Sequence, residues 1–155
     1  MAETAGRNQP TADAAAAIVA RPAAAVFAFM ADPHRLDLWS FGTWRVAVAD
    51  DGLVVGTGIY DGTRTFVRID ADGERMLIDY AVGPAADALC PRIFARVTRG
   101  EVVGLGRNHA LLTIVGLRSA GMDAERWRRL RTAHAFEVEL IRSILESGFD
   151  HRTLR

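Results

Sequence analysis

The sequence predicts an α+β domain, in which one antiparallel sheet of six or seven strands packs against one long amphipathic helix. Three observations support this prediction. Hydrophobic residues recur with a helical period over residues 124–147. The middle of the chain alternates with a period of two, and short turn sequences rich in aspartate and glycine separate the alternating runs. The 155 residues, half of them hydrophobic, suit one domain with a single core.

The first third of the domain predicts one strand and two short helices. Residues 14–20 form a weakly marked strand, because most of them are alanine. Pro22 opens the first helix, since proline is favoured in a first turn. Asp32 and Pro33 separate it from the second, because the residue before a proline disfavours helix. The predicted division of the chain is a flexible leader, one domain and a tail: residues 1–13, 14–148 and 149–155.

The central region predicts a meander of strands. The turn at Asp50-Asp51-Gly52, a two-residue hairpin connection at Asp61-Gly62 and the turn at Ala71-Asp72-Gly73 separate its first runs. Residues 83–89 break the pattern before the last two strands. Successive strands with such short connections predict antiparallel pairing. The predicted strands are residues 44–48, 53–60, 63–70, 74–82, 92–103 and 109–117.

The closing helix is predicted over 124–147, with Asp123 as its N-cap and Gly148 in a terminating left-handed turn. His134 and Glu137 lie within its apolar stripe, three positions apart, so they are neighbours on the helix surface. A buried carboxylate is costly unless it is paired or protonated, so Glu137 requires a partner. The candidates are His134, His109, Tyr60 or Tyr80, or an arginine that faces inward.

Residues 18–33 read IVARPAAAVFAFMADP, and Trp39 follows. This segment resembles the opening of the SRPBCC superfamily, in which a strand runs into a pattern of the form ARP…VF.F..DP…W. The resemblance extends over residues 14–147 and is nearest to the polyketide cyclase/dehydratase and lipid-transport branch. It implies the START-like helix-grip fold: a curved sheet around the C-terminal helix, with a deep, mostly apolar cavity between them.

The inward faces of the helix and strands would line that cavity. Strand parity directs Ile78 and Tyr80 inward, and His109 could face the same space because it shares the parity of Leu111 and Thr113. A single bulge would invert such assignments. The predicted ligand-contact residues are Trp39, Ile78, Tyr80, His109, Trp127, Leu130, Val138 and Ile141.

Arg64, Arg68, Arg92 and Arg96 have the outward parity and are expected to be solvated. An inverted parity would instead make one of them the partner of Glu137.

His134 and Glu137 allow two interpretations. As a catalytic pair, the imidazole exchanges protons near neutral pH, while the carboxylate orients it or takes a proton itself. As a structural pair, they tie the helix to backbone groups or arginines of the sheet.

Three functions follow from these alternatives. The first is an enzyme for cyclisation, dehydration or enolisation of a hydrophobic carbonyl compound, with His134 and Glu137 as the proton-transfer pair. The second is a non-catalytic carrier or sensor of a lipophilic molecule, and the third is a protein-interaction module. The expected partner is a small hydrophobic molecule (a lipid, a polyketide or an aromatic compound), and the chain could also form a homodimer.

Composition argues against several other classes. A formal net charge of zero gives no nucleic-acid footprint, and no run of about 20 apolar residues predicts a membrane span. The chain has no lysine, so no lysine Schiff base can form. The four histidines lack metal-ligand spacing, so we predict no metal and no cofactor. The single cysteine, Cys90, fits a reducing compartment and a cytoplasmic location.

Overall fold

A computed structural model of the chain describes residues 10–154. Seven strands form one sheet in which every neighbouring pair is antiparallel. The strands are β1 Ala12–Val19, β2 Trp44–Val48, β3 Val54–Thr57, β4 Arg64–Asp72, β5 Leu77–Gly83, β6 Cys90–Arg99 and β7 Ala110–Leu117. Their order across the sheet is β1-β7-β6-β5-β4-β3-β2. The helices are α1 Ala23–Ala31, α2 Leu36–Trp39 and α3 Ala124–Ser147. The predicted α+β architecture, with two short helices after the first strand and a long last helix, is confirmed.

Helix α3 packs on β1 and β7, at one side of the sheet. Its ends agree with the sequence prediction. The Asp123 side chain accepts a hydrogen bond from the Arg126 N–H at 2.7 Å, and Gly148 ends the helix at φ 72°. Val138 and Ile141 on its apolar face are almost fully buried. The helix is therefore fixed against the sheet along the stripe that also carries Glu137.

The structure at both ends of the chain differs from the predicted division into a leader, a domain and a tail. Strand β1 begins at Ala12, inside the predicted leader, and Ala12 pairs with Leu117 of β7. Residues 1–9 of the leader and Arg155 lie outside the described residues. In the predicted tail, residues 151–153 form a 3-10 turn, and Arg152 donates to the His34 carbonyl at 2.8 Å and to Asp37 at 3.1 Å.

The predicted two-residue connection at Asp61-Gly62 is wrong. Strand β3 ends at Thr57 and β4 begins at Arg64, so six residues connect them. The Gly58 N–H donates to the Thr63 carbonyl at 2.7 Å, and the Asp61 carboxylate accepts from the Thr63 N–H at 2.9 Å. These bonds close a compact loop, which contributes Tyr60 to the wall of a cavity.

Other strand boundaries shift as well, most clearly those of β5 and β6. The carboxylate of Asp72 accepts the N–H groups of Glu74 and Arg75, and Met76 adopts a left-handed φ of 54°, so β5 starts at Leu77 rather than at Glu74. Strand β6 extends back to Cys90, and residues 100–103 form a 3-10 turn instead of its end. None of the helices within residues 10–154 is both long and apolar enough to cross a bilayer.

Candidate functional site: a cavity between the sheet and the long helix

A cavity of about 890 Å³ lies between α3, the segment that follows α2, and strands β4 to β7. Its volume is within the range of small-molecule sites. We call its buried part the inner end: Trp39, Thr43, Tyr80, His134 and Glu137. We call its more accessible part the mouth: Tyr60, Asp61, Arg64, Arg92, Arg126 and Arg129.

Glu137 is a carboxyl group on the cavity wall, and only 4% of the residue is exposed. One of its oxygens, Oε1, accepts a hydrogen bond from the backbone N–H of Phe41 at 2.9 Å. Burial raises the pKa of Glu137 from 4.5 to about 7, although the Phe41 N–H opposes the shift. At neutral pH this carboxyl is therefore divided between its protonated and ionised forms.

Phe41 is itself held in place by three contacts. Its ring stacks on Phe136 of α3 with 5.6 Å between the centroids, and its carbonyl accepts a hydrogen bond from the Ile59 N–H at 2.8 Å. Its N–H is the donor to Glu137. The partner of the buried carboxyl is therefore a backbone N–H, the kind of group that the structural interpretation named, and not one of the candidate side chains.

His134 faces Glu137 from one helical turn away. Its Nε2 lies 3.9 Å from the Oε2 of Glu137, which is too long for a hydrogen bond. Burial lowers the pKa of His134 from 6.5 to about 4, so the ring is neutral at pH 7 and the contact is not an ion pair there. A Cβ placed on Gly116 of β7 would lie 2.9 Å from the Cε1 of His134. The ring therefore occupies space that only a glycine leaves free.

Tyr80 and Trp39 form the wall on the sheet side of the inner end. Their rings meet edge to face, with 6.1 Å between the centroids. The Tyr80 hydroxyl donates to the Met30 carbonyl at 2.7 Å. Burial, together with the carboxyl of Glu137, raises the pKa of Tyr80 above its usual value. The Tyr80 hydroxyl is thus uncharged, and its hydrogen bond to Met30 holds it in place.

Three polar atoms of the inner end are buried without a hydrogen-bond partner among residues 10–154. They are the indole Nε1 of Trp39, the hydroxyl Oγ1 of Thr43 and the Nδ1 of His134. Buried polar groups are ordinarily paired, since each orphan costs free energy. The Nδ1 of His134 lies against Gly116 of β7, so only the Trp39 and Thr43 atoms are candidates for bonds to a ligand oxygen.

Arg92 reaches the cavity because of a bulge in β6. Tyr80 of β5 pairs with Ile93, but the next residue, Ala81, pairs with Pro91, so Arg92 is the extra residue. A β-bulge redirects a side chain and inverts the alternation around it. The expectation that Arg92 is solvated is therefore wrong, whereas Arg96, beyond the bulge, is exposed as expected.

The other charges of the mouth differ in their partners. The guanidinium of Arg129 lies 4.2 Å from the ring centroid of Tyr60, and that of Arg64 lies 5.3 Å from the ring of Phe66. The Asp61 carboxylate accepts a hydrogen bond from Thr63, and this bond lowers the pKa of Asp61.

Five of the predicted site residues line the cavity: Trp39, Tyr80, Leu130, His134 and Glu137. Four others are buried but do not line it: Ile78, Trp127, Val138 and Ile141. The cavity meets α3 only between Arg126 and Glu137. Beyond Glu137 the helix packs into the core, and this explains why Val138 and Ile141 are absent from the lining.

The expected orientation of His109 is wrong. The buried face of β7 carries Leu112 and Ile114, whereas Leu111 and Thr113, which share the parity of His109, are only half-buried on the other face. His109 precedes the strand and does not line the cavity. The alternation of β7 agrees with the prediction, but the inward face is the opposite one.

Residues 10–154 contain no group of three or more histidine, cysteine, aspartate and glutamate side chains that could hold a metal ion.

No protein-family model matches the sequence, and a comparison with curated proteins finds no matching sequence. Solved structures do match the fold. Protein XoxI from Bacillus cereus aligns with a TM-score of 0.68 and 12% identity, over 92% of this chain and 100% of that one. The Zhui aromatase/cyclase from a Streptomyces species aligns with a TM-score of 0.61 and 16% identity, over 93% and 95% of the chains.

A START superfamily protein from Mycobacterium smegmatis aligns with a TM-score of 0.59 and 13% identity, over 89% of this chain and 99% of that one. At these low sequence identities, the structural matches show a shared fold and nothing further. The chain has a START-like helix-grip fold, as the resemblance of its opening segment predicted.

Proposed function

We propose that this protein binds a small hydrophobic ligand in the cavity, and that Glu137 acts as a general acid–base group at a carbonyl of that ligand. The observation that carries the proposal is a single carboxyl, buried on the wall of an 890 Å³ cavity, whose pKa lies near 7. A group with a pKa near the working pH is the most effective proton-transfer catalyst. Fold likeness to an aromatase/cyclase is consistent with this chemistry but does not assign it.

The surroundings of Glu137 favour proton transfer by the carboxyl rather than by the imidazole. His134, with its pKa near 4, is uncharged at neutral pH and holds no proton of suitable acidity. Its ring lies beside the carboxyl at 3.9 Å and can orient a bound ligand or a water molecule. The role of His134 in this proposal is therefore positioning.

The unpartnered atoms supply the second half of the proposal. The Trp39 Nε1–H is a donor, and the Thr43 hydroxyl can donate or accept. Both lie on the wall of the inner end that also holds Glu137. A carbonyl oxygen bound there would accept their hydrogen bonds, and an enolate formed by loss of an adjacent proton would accept them more strongly.

The second candidate is a carrier that encloses a lipophilic molecule without changing it. The observation that favours it is the neutral His134, because the distance to Glu137 leaves the two side chains without a shared proton at neutral pH. The same cavity and the same apolar ligand class would serve either function.

Exchange of α-protons separates the two candidates without knowledge of the natural substrate. The protein would be incubated in D₂O with a panel of hydrophobic ketones such as β-tetralone, and deuterium incorporation would be followed by NMR. We expect exchange above the buffer rate for the unmodified protein and a loss of about 100-fold for Glu137→Gln. Glu139→Gln is the matched control, because Glu139 is exposed on the same helix and pairs with Arg142.

Binding of the neutral fluorophore phenylnaphthylamine is measured on the same samples. Equal binding by all three proteins, with exchange lost only in Glu137→Gln, supports the catalytic proposal. Binding with no exchange by any of them supports the carrier, and the absence of binding by the unmodified protein contradicts both.

A further inference from the structure

Arg92 and Arg126 of the mouth have neither an acidic partner nor an aromatic ring against the guanidinium among the residues that the structure describes, whereas Arg64 and Arg129 lie against aromatic rings. Within residues 10–154, neither Arg92 nor Arg126 forms an ion pair with a carboxylate, whereas Arg131 at the same helix pairs with Asp13 at 3.1 Å. The Nη1 of Arg92 is buried and has no hydrogen-bond partner in that range. A half-buried guanidinium without an anion is an unfavourable arrangement, since a buried charge is ordinarily paired.

The placement of Arg92 results from the local backbone rather than from chance exposure. Pro91 lacks an N–H and cannot complete the ladder of an interior strand, and the register of β6 shifts at this point. The resulting bulge places Arg92 on the cavity lining that also includes Arg126 of α3, and burial, followed by the charge of Arg126, lowers the pKa of Arg92. Two positive charges, Arg92 on β6 and Arg126 on α3, therefore lie on the wall of the same cavity.

The remaining charges of the cavity leave this pair uncompensated. The lining contains four arginines (Arg64, Arg92, Arg126 and Arg129) and two acids (Asp61 and Glu137). Asp61 accepts a hydrogen bond from the Thr63 N–H, and hydrogen bonding by Thr63, with a smaller effect from the charge of Arg129, lowers the pKa of Asp61. Glu137 is at the inner end and is divided between its neutral and charged forms at pH 7. The mouth therefore carries a net positive charge beside an apolar cavity.

We infer that the ligand carries an oxyanion at its outer end, a carboxylate or a phosphate, and that Arg92 and Arg126 bind it. This inference rests on the proposed ligand-binding function and adds a substrate class to it: an amphiphile with an apolar body, an oxygen function at the inner end and an anion at the mouth. The planar fork of Arg92 suits the paired oxygens of either anion.

A matched pair of probes tests the anion directly. Anilinonaphthalene sulfonate and phenylnaphthylamine share one aromatic scaffold, and only the first carries an anionic group. We expect the unmodified protein to bind both, and Arg92→Gln to weaken the sulfonate about tenfold while leaving phenylnaphthylamine unchanged. Arg96→Gln is the control, because Arg96 lies on the same strand but is exposed outside the cavity.

Displacement of phenylnaphthylamine then identifies the anion. Dodecanoate, dodecyl phosphate and dodecanol present one chain with a carboxylate, a phosphate or no charge. Stronger displacement by either anion than by dodecanol, lost in Arg92→Gln and retained in Arg96→Gln, supports the inference, and the better of the two anions identifies the headgroup. Binding of phenylnaphthylamine with no anion preference overturns the inference but leaves the proposed cavity function standing. No binding of phenylnaphthylamine contradicts both.

Discussion

The two ends of the cavity differ in the charge that they hold at neutral pH. At the inner end, burial keeps His134 neutral and brings the pKa of Glu137 to about 7. At the mouth, Arg92 and Arg126 stay charged without an acidic partner among residues 10–154. The two ends therefore offer a ligand different environments: a permanently charged anionic group is favoured at the arginines of the mouth rather than beside the buried carboxyl.

Solvent access explains the contrast. An ionised carboxyl at the inner end loses the hydration that a charge requires, so its protonated form is favoured. An arginine stays ionised because its pKa lies far above neutral, even where burial lowers it. The inner end is therefore suited to moving a proton, and the mouth to holding a charge. If the two ends are independent in this way, a substitution at the mouth should leave the pKa of Glu137 unchanged. A substitution of Glu137 should likewise leave anion binding at the mouth unchanged.

The largest expected effect is the pH dependence of stability at Glu137. The carboxyl binds its proton more tightly in the folded state, so it stabilises the fold below pH 4.5, and this contribution is lost as the pH rises to 7. Glu137→Gln keeps an oxygen for the Phe41 N–H but has no proton to lose. The free energy of unfolding of the variant should therefore gain about 3 kcal/mol relative to the unmodified protein between pH 4.5 and 7.

Urea denaturation at a series of pH values measures this difference. His134 acts in the opposite direction, because its lowered pKa removes stability as the pH falls from 6.5 to 4. That contribution is common to both proteins and cancels in their difference. A difference that does not change between pH 4.5 and 7 would contradict the raised pKa.

The next effect concerns the space that Gly116 leaves for His134. A methyl group at residue 116 would lie 2.8 Å from Leu130 and 2.9 Å from the imidazole, so Gly116→Ala should cost about 1–3 kcal/mol in thermal or urea unfolding. In a His134→Ala background the same substitution should cost clearly less, because one of the two obstacles is gone. Gly106→Ala is the control, since nothing lies within 4 Å of its added Cβ. Equal costs in both backgrounds would exclude the predicted contact.

Tyr80→Phe should have a smaller effect and should not alter the inner carboxyl. The change removes the buried hydrogen bond to the Met30 carbonyl, with an expected loss of about 1–2 kcal/mol in the free energy of unfolding. The exposed Tyr60 provides a matched substitution, Tyr60→Phe, which should change stability by less than about 0.5 kcal/mol. If Tyr80→Phe abolished the pH dependence assigned to Glu137, Tyr80 would be part of the proton-transfer unit, and its purely structural role would be wrong.

The smallest effect is expected at the mouth. Arg92→Gln removes an unpaired, half-buried charge, so without ligand the melting temperature should rise by about 1–3 °C. Arg96→Gln should leave it unchanged, because that side chain is exposed. A fall in melting temperature for Arg92→Gln alone, measured by calorimetry, would indicate that Arg92 has a stabilising partner.

The sequence predicted the inner end better than the mouth. The 3.6-residue period of α3 is continuous, so it correctly identified His134 and Glu137 on the buried face. Strand parity is less robust, because one bulge inverts it, and β6 contains one at Arg92. Pro91 was the available signal, since a proline within a central strand is typical of a bulge. The N–H of Phe41 carries no side-chain signal, and its bond to Glu137 depends on the fold.

The pKa of Glu137 is the most direct test of its proton-transfer role. Carboxyl groups labelled with carbon-13 would be titrated by NMR, and Glu137→Gln would assign the resonance by its disappearance. We predict a midpoint near pH 7 for the carboxyl resonance of Glu137. A midpoint at or below pH 4.5 would contradict that role, because the carboxyl would then be ionised at neutral pH and could not exchange protons in the way proposed.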